Sequence, residues 1–290
     1  MVSMKVERVS FKGFGGLDLA GDVRGDRDAW PVLFLHGGGQ TRYAWGETAD
    51  VVAEHGWRAV TLDHRGHGES DWAPNADYSF TAYCADCIAV VDQLGLPPVL
   101  VGASLGGMAA LLAEGTSDRA ISCGLVLVDI VPKTNREGVR RIGEFMRSGV
   151  NGFDTLEEAA AAIAAYTPHR VRKFNPAGLM KVLREREDRW YWHWDPRIIK
   201  QERSEIVATR FIGLLEFAMS NIHVPTLVVR GLLSDVVTQE GIDDIVSRLP
   251  DVTVVDVEGA GHMIAGDKND AFSDAVVSFL NSKIRPTLAI

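Results

Sequence analysis

The sequence predicts an α/β fold, with a mostly parallel eight-stranded sheet flanked by helices and a helical cap inserted between strands 6 and 7. Short, continuously apolar runs alternate with helical patterns along most of the chain, as is typical of central strands covered on both faces. The alternation stops over residues 132–222, where only helical patterns occur. We therefore expect a core formed by 1–131 and 223–290, with 132–222 as a cap.

The individual elements follow from the apolar runs and from the residues that end them. Segments around 5–11 and 17–23, separated by Gly-rich turn residues, predict a hairpin at the sheet edge. Central strands are expected at 32–35, 57–62, 98–101, 124–128, 226–229 and 252–257. Helices are expected before Gly56, from Asp270 to Leu280, and in the cap over TLEEAAAAIAAY, PAGLMKVLRERED and SEIVATRFIGLLEFAMS.

Composition limits the class of partner. The 290 residues are 46% hydrophobic and 24% charged, as in an ordinary globular protein. A net charge of -9 argues against binding nucleic acid or an anionic membrane. The apolar runs are shorter than the roughly 18 residues of a spanning helix, and the N-terminal residues lack the apolar core of a signal peptide. We expect a cytoplasmic protein that acts on a small-molecule substrate; self-association into a homo-oligomer stays open.

The segment LVGASLGGMAAL, at 100–111, carries the first chemical signal. Ser104 lies between a predicted strand and a predicted helix, where a serine is often a helix N-cap. Glycines on both sides also fit a nucleophile elbow, the sharp strand-to-helix turn that exposes a serine hydroxyl. These residues alone leave both interpretations open.

A serine nucleophile needs a base and an acid that orients the base. Asp235 and His262 each follow a predicted strand downstream, so the carboxyl ends of a parallel sheet could gather all three. Asp129, at the end of the strand before the cap, is the alternative acid. His262 could instead be a loop histidine bonded to backbone groups. We predict a Ser104, Asp235 and His262 triad.

Backbone N–H groups would complete such a site by binding an oxyanion. The run His36-Gly37-Gly38-Gly39 follows a predicted strand, and its glycines allow a ligand to approach the backbone closely. Gly38 and Leu105 are the predicted donors, with Gly39 the next choice after Gly38.

The chain resembles the α/β-hydrolase superfamily over essentially its whole length. The resemblance rests on HGGG at 36–39, LDHRGHGES at 62–70, VGASLGG at 101–107, VRGLLSDVV at 229–237 and EGAGHM at 258–263. It implies a serine hydrolase of the lidded group that includes carboxylesterases, carbon-carbon bond hydrolases and cofactor-free peroxidases. Ser104 disfavours the relatives with an aspartate nucleophile, and Gln40-Thr41 stands where carbon-carbon hydrolases typically have glycine-proline.

Two groups of residues suggest a metal or redox site, but other interpretations are favoured. Cys84 and Cys87 form a CxxC, yet they lie in a segment with helical apolar spacing and no second CxxC follows. His36, His64 and His67 are close in sequence, but the resemblance assigns them to the oxyanion loop and to a structural turn held by Asp63, Arg65 and Ser70. We predict no metal and no cofactor.

We expect the protein to cleave a carboxylic ester, or a related acyl compound with an apolar group, through an acyl-enzyme. Transfer of the acyl group to peroxide, carbon-carbon bond hydrolysis and a nearly inactive ligand receptor are the alternatives. The aromatic run 189–195 favours packing of the cap, with a second interpretation as pocket wall. The predicted pocket residues are Gly39, Trp45, Met108, Trp192, Trp194 and Met263.

Overall fold

One eight-stranded sheet organises the chain. The computed structural model describes residues 5–168, 174–200, 205–267 and 269–288. The sheet strands are β1 (Glu7–Lys12), β2 (Asp18–Arg24), β3 (Pro31–Leu35), β4 (Arg58–Leu62), β5 (Val99–Ala103), β6 (Gly124–Val128), β9 (Thr226–Gly231) and β10 (Val252–Val257). Their spatial order is β1-β2-β4-β3-β5-β6-β9-β10. β2 is antiparallel to both of its neighbours and all other pairs are parallel. The predicted fold class and the edge hairpin are therefore confirmed.

Helices cover both faces of the sheet. They are α1 (Gly46–Glu54), α2 (Phe80–Gln93), α3 (Leu105–Thr116), α4 (Arg136–Ser148), α5 (Leu156–Tyr166), α6 (Pro176–Leu179), α7 (Glu205–Ser220), α8 (Gln239–Arg248), α9 (Ile264–Asp267), α10 (Asn269–Phe279) and α11 (Arg285–Leu288). Within the described ranges, no helix combines the length and apolar character needed to cross a membrane.

Successive residues of the central strands pack into opposite cores. In β3, Leu33 and Leu35 belong to the cluster that includes residues of α2 and α3. Val32 and Phe34 belong to the cluster that includes residues of α1 and α10. Because side chains alternate across a strand, a sheet buried on both faces requires an unbroken apolar run, and this explains why the central strands lack alternating polarity.

The segment between β6 and β9 differs in two ways from the expected all-helical cap. Residues 183–192, expected as part of a helix up to Asp188, form a hairpin of β7 (Leu183–Arg186) and β8 (Arg189–Trp192). Glu187 and Asp188 both have positive φ values, 51° and 59°, as a two-residue hairpin turn requires. The end of α7 also packs in the main core, since Leu215 and Met219 lie in the cluster with α3. The end of α7 thus packs with the core, although it belongs to the segment 132–222 that was expected as the cap.

Helix α5 of the cap begins with a capping box formed by Thr155 and Glu158. The Thr155 hydroxyl accepts a hydrogen bond from the N–H of Glu158 at 3.1 Å, and the Glu158 carboxylate accepts one from Asp154 N–H at 2.7 Å. These side chains satisfy N–H groups that the first turn of a helix leaves unpaired. A local sequence signal thus fixes where α5 begins.

Candidate active site

Ser104 occupies a strained turn between β5 and α3. Its φ of 46° and ψ of -113° lie in a region that residues other than glycine rarely adopt, at a cost of about 1–3 kcal/mol. Its side chain makes no capping hydrogen bond to α3, although it stands at the N-cap position. The helix-cap interpretation of Ser104 is therefore rejected, and the local backbone is that of an elbow.

The flanking glycines let α3 approach the sheet closely. A Cβ on Gly102 would lie 2.5 Å from the carbonyl oxygen of Gly106, and one on Gly106 would lie 2.7 Å from the carbonyl oxygen of His36. Such distances are shorter than any side chain tolerates against backbone, so both positions require glycine. The start of α3 is thereby held against the ends of β3 and β5.

Asp129 is the carboxylate that contacts His262. His262 Nδ1 lies 2.7 Å from Asp129 Oδ2, and the same oxygen accepts a hydrogen bond from Ser234 Oγ at 2.5 Å. The N–H of Gly231 donates to Oδ1 at 3.2 Å. Asp129 is 1% exposed, so these donors replace water around a buried carboxylate. They fix the carboxylate in place and leave Nε2 of His262 available for another partner.

The prediction that Asp235 orients His262 is wrong. The Asp235 carboxylate instead pairs with Arg141 of α4 at 2.6 Å, with side chains 41% and 45% exposed respectively. After β9 the chain turns outward toward the cap, where the carbonyl of Val236 accepts a hydrogen bond from Asn135 N–H at 2.9 Å. Asp235 therefore links this loop to the cap, while Ser234 in the same loop reaches Asp129.

Sheet register explains why Asp129 lies beside Ser104. Ala103 of β5 is paired with Val128 of β6, and Ser104 N–H donates to the carbonyl of Val128 at 3.3 Å. Ser104 and Asp129 therefore leave adjacent strands at the same level. His262 follows β10 and is bound to Asp129, so the residues gather at the carboxyl edge of the parallel strands.

In the loop of residues 37–40 that follows β3, every backbone N–H except one donates a hydrogen bond to another described residue. Gly37 N–H donates to Gln40 Oε1 at 3.0 Å, Gln40 N–H to the Gly37 carbonyl at 3.1 Å, and Gly39 N–H to His67 Nε2 at 3.2 Å. Gly38 N–H has no partner among the described residues. A Cβ on Gly38 would lie 3.9 Å from Leu105 Cδ2, so Gly38 is a neighbour of the first residue of α3.

Three neutral histidines lie beneath this loop. The rings of His36, His64 and His67 contact one another edge-on, with the centroids of His36 and His64 4.6 Å apart. Burial lowers the pKa of His36 to about 4 and that of His67 to about 3, and it lowers the pKa of His64 as well. Their ring nitrogens bond to the backbone, and no group of metal-ligating side chains is found in the described ranges.

The turn at 62–70 is fastened to its surroundings by buried polar side chains. Asp63 Oδ1 accepts a hydrogen bond from Arg42 N–H at 2.6 Å, and Ser70 Oγ donates to the Asp63 carbonyl at 2.6 Å. Arg65 pairs with Asp86 of α2, with Nη2 2.7 Å from Oδ1. Burying these charges is tolerable because each has a charged or backbone partner. The turn is consequently a fixed support beneath the loop after β3.

A cavity of about 180 Å³ opens beside His262. Its lining combines apolar side chains with the ion pair of Arg141 and Asp235, and it consists of Arg141, Tyr166, Thr167, Pro168, Leu233, Asp235, Gly261, His262 and Met263. Residues from the cap and from the loops after β9 and β10 therefore enclose it together. A mostly apolar cavity with a few polar groups is the usual form of a small-molecule site.

The six predicted pocket residues are distributed over different environments. Met263 lines the cavity, and Trp194 is buried with its Nε1 3.8 Å from the position of a Cβ on Gly39. Trp45 instead packs between Phe34 and Phe272 in the core, so its prediction as a pocket wall is wrong.

Two more of those residues serve packing. Trp192 is buried in the cap cluster, with its ring 5.3 Å from that of Phe153 and 5.4 Å from that of Phe145. Met108 packs against the main core, one turn after Ser104. The packing interpretation of the aromatic run therefore holds for Trp192, and neither residue lines the cavity. Cys84 and Cys87 are likewise buried as free thiols in α2.

Several residues of the site carry no sequence signal of their own. Arg141, Tyr166 and Leu233 line the cavity only because the cap folds over the core. In the loop after β9, the residue that contributes to the site is Ser234, which precedes Asp235. Its hydroxyl can donate to a buried carboxylate. Its contact with Asp129 could not be read from chain order.

The mostly parallel eight-stranded sheet and the strained serine turn between β5 and α3 are features of the α/β-hydrolase fold. A match to the family described as "Alpha/beta hydrolase family" covers residues 32–275. The chain therefore belongs to this family.

Relatives of known description are hydrolases. The chain is 30% identical over 267 residues to the sn-1-specific diacylglycerol lipase ABHD11 of Mus musculus, covering 88% of this chain and 82% of the relative. It is 29% identical over 218 residues to the 3-hydroxybutyrate-oligomer hydrolase of Cupriavidus necator, covering 71% and 73%.

A solved structure of an esterase also resembles this chain. The esterase Rv0045c of Mycobacterium tuberculosis superposes with a TM-score of 0.77 at 26% identity, covering 96% of this chain and 92% of that one. These similarities support hydrolase activity on this fold.

Proposed function

We propose that the protein is a serine hydrolase that cleaves a carboxylic ester or a related acyl compound with an apolar group. The observation that carries the proposal is the pairing of His262 with the buried Asp129, at the sheet edge where Ser104 is held in an elbow. Strain on a functional turn and a base oriented by a buried carboxylate are the features expected of a nucleophile with its base. The named relatives agree with it, since they are a diacylglycerol lipase, an esterase and a 3-hydroxybutyrate-oligomer hydrolase.

The proposed reaction proceeds in two steps. His262 Nε2 removes the hydroxyl proton of Ser104 as Oγ attacks the substrate carbonyl carbon, and Asp129 stabilises the imidazolium that forms. The tetrahedral intermediate collapses, the alcohol leaves with the proton from His262, and an acyl-enzyme remains. Water, deprotonated by His262, then attacks the acyl carbon; as the acyl–Oγ bond breaks, His262 returns the proton to Oγ, and the acid and free Ser104 are released.

Gly38 and Leu105 are the proposed oxyanion donors. The other N–H groups of residues 37–40 are already bonded within the protein, so Gly38 N–H is the one available for a ligand. Leu105 is the first residue of α3, and N–H groups in the first turn of a helix have no intrahelical acceptor. Both donors also lie at the end of α3 where the helix dipole favours negative charge.

The cavity lining indicates which part of the substrate it accommodates. Tyr166, Leu233 and Met263 present apolar surface next to His262. A volume of about 180 Å³ is below the range of about 300–1,000 Å³ for drug-sized ligands. We therefore propose a small apolar acyl or alcohol group.

The test compares Ser104→Ala with Ser117→Ala on a series of p-nitrophenyl esters of increasing acyl length. Ser117 ends the same helix that Ser104 begins, so it controls for loss of a serine hydroxyl on α3. We expect hydrolysis to disappear in Ser104→Ala and to persist in Ser117→Ala. An active Ser104→Ala protein would refute the proposal. Repeating the assay with hydrogen peroxide separates transfer to peroxide from hydrolysis.

A further inference from the structure

The loop that would bind the oxyanion is made of glycines and needs an external anchor. Gly37, Gly38 and Gly39 follow one another, and glycine gives the backbone more conformational freedom than any other residue. Gly39 also has a positive φ of 77°. Donors contribute most to catalysis when they are already oriented in the free enzyme. Hydrogen bonds between Gly37 and Gln40 hold the loop from within, and a contact from outside the loop is needed to fix Gly39 as well.

His67 makes the contact that anchors the loop. Its Nδ1 lies 3.0 Å from the carbonyl oxygen of Arg65, and a carbonyl can only accept, so Nδ1 carries the ring proton. Nε2 of the neutral ring is then an acceptor, and Gly39 N–H donates to it at 3.2 Å. His67 is fully buried, at 0% exposure. The acceptor atom of this hydrogen bond is therefore shielded from bulk water.

The cap holds His67 from the other side. His67 forms a β-bridge with Trp194, flanked by hydrogen bonds from Gly68 N–H to the His193 carbonyl at 2.7 Å and from Asp195 N–H to the Gly66 carbonyl at 2.8 Å. The backbone around His67 is thus clamped to the cap segment that follows β8. The Trp194 side chain also approaches Gly39, so the cap fixes both the anchor and the loop.

We propose that His67 is a positioning residue that holds the oxyanion loop in its binding conformation. Through His67, that conformation also depends on how the cap packs against the core. The inference rests on the proposed function, because it assigns the role of Gly38 N–H to an oxyanion donor. His67 does not touch the substrate. It acts by keeping the Gly39 N–H occupied, so that the preceding residue presents its own N–H toward the start of α3.

Two variants of matched size test the acceptor at Nε2. His67→Gln retains an oxygen that can accept from Gly39 N–H, whereas His67→Met has a side chain of similar length with no comparable acceptor. We expect kcat to fall about 10- to 100-fold in His67→Met with KM nearly unchanged, which is less than the loss of about 100- to 1,000-fold when an oxyanion donor itself is removed. His67→Gln should recover most of kcat. Wild-type kcat in His67→Met, or equal losses in both variants, would overturn the proposal.

Amide hydrogen exchange on the wild-type protein gives a second measurement that needs neither a variant nor a substrate. Gly39 N–H should be protected by its bond to His67, while Gly38 N–H, in the same loop, should exchange quickly. Equal, fast exchange at both glycines would overturn the anchor even if His67→Met fails to fold. Turnover by Ser104→Ala would instead refute the proposed function and leave the exchange result standing, so the two failures are distinguishable.

Discussion

Replacing either of two aspartates tests which one orients the base. Asp129→Asn keeps the size of the side chain but removes the negative charge that faces His262 Nδ1 at 2.7 Å. With charge centres about 4 Å apart and an effective dielectric constant of about 20, the imidazolium would lose about 4 kcal/mol of attraction. Since each 1.36 kcal/mol is a tenfold change in rate, kcat should fall about 1,000-fold.

Asp235→Asn is the matched control. Its carboxylate pairs with Arg141 where both side chains are about two-fifths exposed, and such pairs contribute about 1 kcal/mol or less to stability. Because its carboxylate pairs with Arg141 and not with His262, kcat on a p-nitrophenyl ester should stay within about tenfold of the wild type, although Asp235 lines the cavity. Steady-state kinetics on both purified variants, with circular dichroism as a check on folding, provides the comparison. A Asp235→Asn protein as inactive as Asp129→Asn would refute the assignment.

Three further outcomes follow from the structure. Ser234→Ala removes a donor from Asp129 and should lower kcat about 3- to 10-fold by loosening the carboxylate; an unchanged kcat would show that the contact is dispensable. Burial lowers the pKa of His36 to about 4 and that of His67 to about 3, compared with about 6.5 for an unfolded histidine. Since the unfolded chain then binds protons more readily than the folded protein, the stability of the fold should be greatest above about pH 6.5 and should fall as the pH is lowered toward these pKa values. His36 alone should account for about 3 kcal/mol, and a urea midpoint that does not change between pH 7 and pH 4 would contradict this. Gly102→Ala would put a Cβ 2.5 Å from a backbone oxygen and should destabilise the fold by about 1–3 kcal/mol, as measured by thermal unfolding. The control is Gly56→Ala, where a Cβ meets open space and any loss of stability reflects only the positive φ.

The sheet could be predicted because its signals are local. Central strands buried on both faces need unbroken apolar runs, and runs such as 32–35 have the length of a strand and are too short for a buried helix. The cap hairpin was missed because its turn is Glu187-Asp188, with positive φ values, and lacks the Asn-Gly or Asp-Gly pair that marks such turns in a sequence. The three consecutive aromatic residues at 190–192 were the available strand signal, because aromatic side chains are enriched in strands.

The acid could not be assigned from the sequence, since Asp129 and Asp235 both follow parallel strands. What separates them is register and loop direction. Asp129 leaves β6 beside Ser104, while the loop with Asp235 turns toward α4. The residues of the pocket could not be predicted from the sequence either, because Arg141 and Tyr166 line the cavity only as a result of how the cap packs on the core. Local pattern predicts which edge of the sheet is functional, and tertiary packing decides which side chains meet there.

In the proposed mechanism, Ser104 is a nucleophile activated by His262 and Asp129. Reaction with a fluorophosphonate, followed by peptide mapping, tests it most directly because the reagent reports activation of a serine without requiring knowledge of the substrate. We predict one adduct, on the peptide containing Ser104, formed quickly in the wild type and in Asp235→Asn and at least about 100-fold more slowly in Asp129→Asn. An adduct on another serine, or equal labelling rates in the wild type and Asp129→Asn, would contradict it.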